Sequence, residues 1–149
     1  MPSASLHRLL FDAVCTGDSP GSDEKLSQLI IQWERLFHDM GRSLSYGAGS
    51  HGNLSIQTKE GCFISATQTF LGAITELQFV QIIGCDMGAS PSVVRYKGEV
   101  RPSTDSLIHW QVYQARPGVA CVLHAHDAQV LRVAECLGLP QKKPENWRC

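Results

Sequence analysis

The feature that most constrains how this chain can fold is the stretch Val119–Asp127, VACVLHAHD. A short apolar run ends there in two histidines, His124 and His126. Residues two apart on a strand point to the same face, so both imidazoles project together where the strand stops. Asp127 then opens a helical pattern through Val130, Leu131 and Ala134, with Gly138 and Pro140 as stop signals. Two neutral imidazoles on one face can form half of a zinc or similar divalent site. The same spacing also suits solvated or core histidines, so the rest of the chain has to decide.

Taken in order, Leu6, Leu9, Leu10 and Ala13 recur at helical spacing and predict a first short helix, followed by a loop, TGDSPGSD. Ser22 can cap a second helix, with Asp23 and Glu24 in its first turn, where carboxylates favour the dipole. Leu26, Leu29, Ile30, Trp33, Phe37 and Met40 form its apolar stripe, read as core, and Gly41 ends it. Ser45–Gly52 is a loop rich in Gly and Ser, whose amides can approach a ligand closely; as a plain alternative it is a surface turn. Asn53–Gln57 and Cys62–Ala66 alternate as strands about a turn at Lys59–Gly61 and predict a hairpin. Thr75 can open a helical turn, Phe79–Cys85 and Val93–Tyr96 read as strands, and a helix runs from about Asp105 to a stop at Pro117-Gly118.

Helices on either side of a strand-rich middle predict an α/β domain in α-β-α layers, with a central, mainly antiparallel sheet. At 149 residues, residues 1–149 form one domain with enough chain for a real core. A net charge of −1 without a basic run gives no footprint for nucleic acid or an anionic membrane, and no apolar run is long enough to span a bilayer. The N-terminus carries charges inside its apolar part, unlike a signal peptide. Six cysteines without CxxC pairs read as the reduced thiols of a cytoplasmic protein.

Five segments in order resemble the class II aldolase/adducin head family. They are Gly52-Asn53-Leu54-Ser55, Phe63-Ile64-Ser65-Ala66-Thr67, Arg101-Pro102-Ser103-Thr104-Asp105 with His109, Tyr113 with Arg116-Pro117, and Val122-Leu123-His124-Ala125-His126. The resemblance implies that His124 and His126 bind Zn2+ or another divalent metal, which acts as a Lewis acid on a phosphorylated ketose. It implies Asp105 as the catalytic proton carrier, and Ser50, Asn53, Thr67, Ser103 and Thr104 as the substrate phosphate contacts. Hydroxyl and amide donors on glycine-rich turns suit an anion without needing Lys or Arg. Each position also has a plainer role: Asn53 as a turn residue, Ser103 and Thr104 as helix caps, His109 as a buried helix residue, Asp105 as a carboxylate favouring a helix N-terminus.

The expected activity is therefore a metal-dependent lyase performing aldol cleavage. The alternatives are a dehydratase or epimerase of the same family, or a non-catalytic module like the adducin head. Family members are often tetramers, so a homo-oligomer is expected. Three departures from the family pattern stand out. Asp105 replaces a Glu, one methylene longer. Gln68 replaces a Gly, and Ala66 a Pro. The chain ends at Cys149, before the family's third histidine, so the domain is expected to be incomplete at its C-terminus, with apolar surface exposed beside the last strand.

Overall fold

The computed structural model describes residues 11–21 and 24–138. Its centre is the expected hairpin: β4 (Asn53–Thr58) and β5 (Gly61–Ser65) pair antiparallel, with Ser55 opposite Ile64 and Thr58 opposite Gly61. The alternation of Leu54 and Ile56 with polar residues allows β4 to pair within a sheet covered on both faces. β6 (Phe79–Asp86) lies antiparallel to β5, and β7 (Ser92–Lys97) antiparallel to β6 across an irregularity between Ile82 and Gly84. On the other side of β4, β8 (Cys121–His124) pairs antiparallel and sets His124 opposite Asn53. With β1 (Phe11–Gly17) beside β7, the order is β1-β7-β6-β5-β4-β8. A two-stranded ribbon, β2 (Ser45–Tyr46) with β3 (Gly49–Ser50), occupies the Gly/Ser-rich segment read as a loop.

The first predicted helix is corrected. Leu6, Leu9 and Leu10 lie outside the described residues, but Ala13 belongs to β1, which runs parallel to β7 with Ala13 opposite Val94. Phe11 is buried with Val94 and Tyr96, and this non-local packing holds Ala13 in a strand despite its place in a helical spacing. Thr16 and Gly17 extend the same strand, so the loop starts later than its composition suggests.

Two helices cover the two faces of the sheet. α1 (Glu24–Asp39) packs Ile30 and Ile31 against Leu54, Phe63, Leu71, Ile74 and Phe79. α2 (Ser106–Ala115) places Tyr113, Leu107 and Trp110 against the core of Phe11, Cys62, Ile64, Val80, Ile82, Val94 and Tyr96 on the other. The layers are thus α-β-α, as expected. α3 (Ala128–Cys136) follows β8, and a 3-10 turn at Glu76–Gln78 is boxed by Thr75 and Gln78. The expected cap Ser22 and the expected first-turn Asp23 lie outside the described residues.

The core-facing stripe expected on α1 is rotated. Leu29, Trp33 and Met40 are about half exposed, and the buried face is Ser27, Ile30, Ile31 and Glu34. Glu34 supplies the reason. Its Oε1 accepts the Leu54 backbone N–H at 2.9 Å, and Ser65 Oγ lies 3.3 Å from the same nitrogen. β4 and β5 have stopped pairing at this point, so the carboxyl meets a donor the ladder leaves unpaired. Beside the last strand, Leu123, Val130, Val133 and Leu137 are exposed. Cys15, Cys62, Cys85, Cys121 and Cys136 are free thiols, while Cys149 is outside the described residues.

Burial raises the Glu34 carboxyl from 4.5 to about 7, against the opposing hydrogen bonds from Ser65 and Leu54. A carboxyl with a raised folded pKa favours the native state most at low pH, and the benefit is lost as pH rises from about 4.5 through about 7. Relative to Glu34→Gln, the wild type should lose on the order of 3 kcal/mol of stability across that window and hold level above it. Urea denaturation of both proteins at several pH values reads this, and parallel pH profiles would contradict it.

Candidate functional site

The site forms at the end of the sheet where β4 begins, β8 ends and α2 begins. Gly52, at φ +89°, turns the chain into β4 so tightly that a Cβ there would sit 2.6 Å from the His124 carbonyl oxygen. Asn53 follows, buried, with His124 opposite it across the ladder. Asp105 occupies the N-cap position of α2, although its side chain makes no capping bond there.

The carboxylate is used sideways. Asn53 Nδ2 donates to Asp105 Oδ2 at 2.6 Å and to Ser103 Oγ at 3.0 Å, and His124 Nδ1 lies 2.9 Å from the same Oδ2. Burial alone would raise the Asp105 carboxyl, but the bonds from His124 and Asn53 outweigh it and hold it below its ordinary value. In return the bond to Asp105 raises His124, against its burial. A carboxylate accepting at Nδ1 favours the tautomer with a proton there, leaving Nε2 as the basic nitrogen.

That nitrogen faces its neighbour: His126 Nε2 is 3.1 Å from His124 Nε2. His126 is held by its backbone N–H, which donates to the Arg42 carbonyl at 2.9 Å, while the Arg42 guanidinium pairs with Asp127. Burial lowers the His126 imidazole, and neighbouring His124 and His51 lower it further, favouring the neutral ring a metal requires. The two imidazoles fit one divalent ion as a pair of nitrogen donors, with Asp105 behind one of them. Among the described residues no three His, Cys, Asp or Glu side chains are placed to hold a metal. His51 stacks on His126 with ring centroids 4.8 Å apart rather than completing a donor set.

Of the expected phosphate contacts, Ser50 ends β3, Asn53 begins β4, and Thr67, Ser103 and Thr104 lie on two loops, tied one to the next. The Ser50 N–H donates to the Thr69 carbonyl at 2.9 Å, the Thr67 N–H donates to the Arg101 carbonyl at 3.1 Å, and Ala66 bridges Pro102. Ser103 joins Asn53 directly. Ser50 Oγ instead accepts the Leu71 N–H at 3.3 Å, and Thr104 is exposed. Asn53 spends both amide protons on Asp105 and Ser103, leaving its Oδ1 buried without a partner. That oxygen is an acceptor for a donor a ligand would bring.

A model of the class II aldolase and adducin N-terminal domain matches residues 30–148. The chain belongs to this family. It is 33% identical over 76 residues to methylthioribulose-1-phosphate dehydratase of Pseudoalteromonas translucida (strain TAC 125), a match covering 51% of this chain and 33% of that protein. The solved L-fuculose 1-phosphate aldolase aligns with a TM-score of 0.58 and 25% identity, over 78% of this chain and 50% of its own. YgbL from Klebsiella pneumoniae, a putative aldolase/epimerase/decarboxylase, has a TM-score of 0.59 at 18% identity, over 76% and 49%. The chain thus spans about half the length of these structures and a third of the dehydratase.

One departure from the class II aldolase pattern is visible in the backbone. Gln68, where the family has Gly, is at φ +56°, and Gly49 packs so closely that a Cβ there would lie 2.8 Å from the Gln68 carbonyl carbon. The loop keeps a left-handed shape that costs a non-glycine residue roughly 1–2 kcal/mol. The shorter Asp105 still reaches both Asn53 and His124. What sequence reasoning missed is the bonding of Ser55 to His109 and Tyr113, all three inside matched motifs, and the burial of Glu34.

Removing the Asn53 amide should strand the partly buried Asp105 carboxylate, costing about 1–3 kcal/mol in Asn53→Ala. Asn53→Asp should cost more at neutral pH, because it sets a second carboxylate against Oδ2. Chemical denaturation separates the two; an Asn53→Asp protein as stable as Asn53→Ala would show that the contact is not made.

Proposed function

We propose that this chain carries the metal and substrate side chains of a class II aldolase-type lyase acting on a phosphorylated ketose. The observation that carries the reading is the convergence of His124 and His126 Nε2 atoms at 3.1 Å with Asp105 fixed behind His124. His124 and His126 would hold a divalent ion, and imidazole donors suit zinc. Zinc supplies Lewis-acid polarisation of a ketose's carbonyl and hydroxyl oxygens. Asp105 has two tasks: Oδ2 fixes the His124 tautomer, and the other carboxylate oxygen carries the proton. Its lowered pKa makes it a weak base, which suits proton transfer at a carbon beside a carbonyl so polarised: delivery to that carbon after cleavage, or removal from it in dehydration.

The phosphate would sit between the end of β3 at Ser50 and the loops bearing Thr67, Ser103 and Thr104, where hydroxyls and backbone amides supply donors. Asn53 joins them by releasing its Ser103 bond. A second reading, dehydration rather than aldol cleavage, is favoured by the similarity to methylthioribulose-1-phosphate dehydratase. Both use the polarised carbonyl but begin differently: cleavage takes the proton of the β-hydroxyl as the carbon–carbon bond breaks, and dehydration takes a proton from the carbon beside the carbonyl before hydroxide leaves. We take the working form to be a homo-oligomer, supported by exposed Leu123, Val130, Val133 and Leu137, and its compartment to be the cytoplasm, supported by the free thiols. No described helix is long and apolar enough to cross a membrane.

Calorimetric zinc titration at neutral pH tests the site. The wild type should bind, His124→Ala should lose binding, and Asp105→Asn should weaken it roughly 10- to 100-fold through the misoriented ring. In the same series inorganic phosphate should raise the melting temperature of the wild type and not of Asn53→Ala. Equal zinc binding by wild type and His124→Ala, or none by either, would leave the non-catalytic scaffold reading.

A further inference from the structure

The face of α2 that carries Asp105 continues as a row of polar side chains. Asp105, His109 and Tyr113 are four residues apart in turn, so they share one side of the helix. They meet Asn53 and Ser55, which are two apart and share one face of β4. Asp105 bonds to Asn53, while Ser55 Oγ lies 2.7 Å from His109 Nδ1 and 2.7 Å from the Tyr113 hydroxyl. The Tyr113 hydroxyl also donates to the Ser55 carbonyl at 2.9 Å. Ser55 and His109 are essentially inaccessible, at 0% and 1% exposure.

The two spacings match. Four residues of helix rise about 6 Å, and two residues of strand rise about 6.6 Å. A helix running along β4 in the same direction can therefore bond at both positions. One proton arrangement satisfies every contact: Tyr113 O–H to the Ser55 carbonyl, Ser55 O–H to the Tyr113 oxygen, and His109 Nδ1–H to Ser55 Oγ. Burial pushes the His109 imidazole down to about 4, so the ring is neutral and supplies that single N–H. Apolar side chains would fill the same space without needing partners. A polar row bonded in this way instead penalises other alignments, because a slip by one residue turns the helix by about 100° and leaves buried donors unpaired.

We infer that Ser55, His109 and Tyr113 are positioning residues: they fix the register of α2 on β4, and so place the Asp105 carboxylate between Asn53 and His124. The inference rests on the site reading above, but its test needs no metal. Long-range proton–nitrogen NMR of the 15N-labelled full chain at about pH 8, above the ordinary imidazole range, reports the His124 tautomer. The wild type should show His124 protonated at Nδ1. Ser55→Ala and His109→Leu should shift it towards a mixture of tautomers. His109→Asn, whose amide can donate to Ser55 from the place of Nδ1, should restore the wild-type pattern. Should His109→Leu fail to fold, Ser55→Ala and His109→Asn carry the test.

A lowered melting temperature with an unmoved His124 tautomer would make the trio merely structural and overturn the inference, as would a wild type not protonated at Nδ1. A wild type with the expected tautomer that fails to bind zinc would remove the functional reading and leave the positioning role standing.

Discussion

One carboxylate oxygen gathers the working end of this molecule. Asp105 Oδ2 receives Asn53 from β4 and His124 from the end of β8, while its own backbone begins α2. Those elements are far apart in sequence, and the bonds that join their side chains fall on this atom. Charge-assisted hydrogen bonds of this kind are roughly twice as strong as neutral ones and more demanding in direction. The same contacts hold the Asp105 carboxyl below its ordinary value, favour the proton on His124 Nδ1, and leave Nε2 turned towards His126.

Polar anchors recur where helices meet the sheet. Glu34 fastens α1 to the Leu54 N–H on one face, and Ser55 fastens α2 through His109 and Tyr113 on the other. Buried polar groups add little net stability, yet an unmatched one is costly, so they select one alignment among many of similar apolar burial. β4 lies between these anchors with alternate residues committed to opposite faces. Leu54 faces α1, while Asn53 and Ser55 face α2, and a shift of one residue would exchange the two sets.

The strands from β4 to β8 were legible because period-two patterns and glycine turns are local signals, whereas His126 lies just beyond the end of β8, so the meeting of its ring with His124 does not follow from strand alternation. β1 was not legible, because Ala13 takes a strand conformation only through pairing with β7, more than seventy residues later. The buried face of α1 was misread for a related reason. Leu29 and Trp33 are the stronger apolar candidates, but Glu34 sets the rotation by bonding to a backbone N–H that only the folded sheet leaves unpaired. In the site, the residue types were visible and their partners were not. Asn53, read as a phosphate contact, bonds to Asp105 and Ser103, and His109, read as a buried helix residue, meets a serine side chain.

The central claim is that Asn53 and Asp105 act as one unit across β4 and α2. A double-mutant cycle of Asn53→Ala and Asp105→Ala, followed by urea denaturation, isolates their coupling from the rest of the fold. The account predicts a coupling of roughly 1–3 kcal/mol, as expected for a hydrogen-bonded pair of which one member is ionised. Additivity within about 0.5 kcal/mol would contradict it, since the two side chains would then not be in contact in solution.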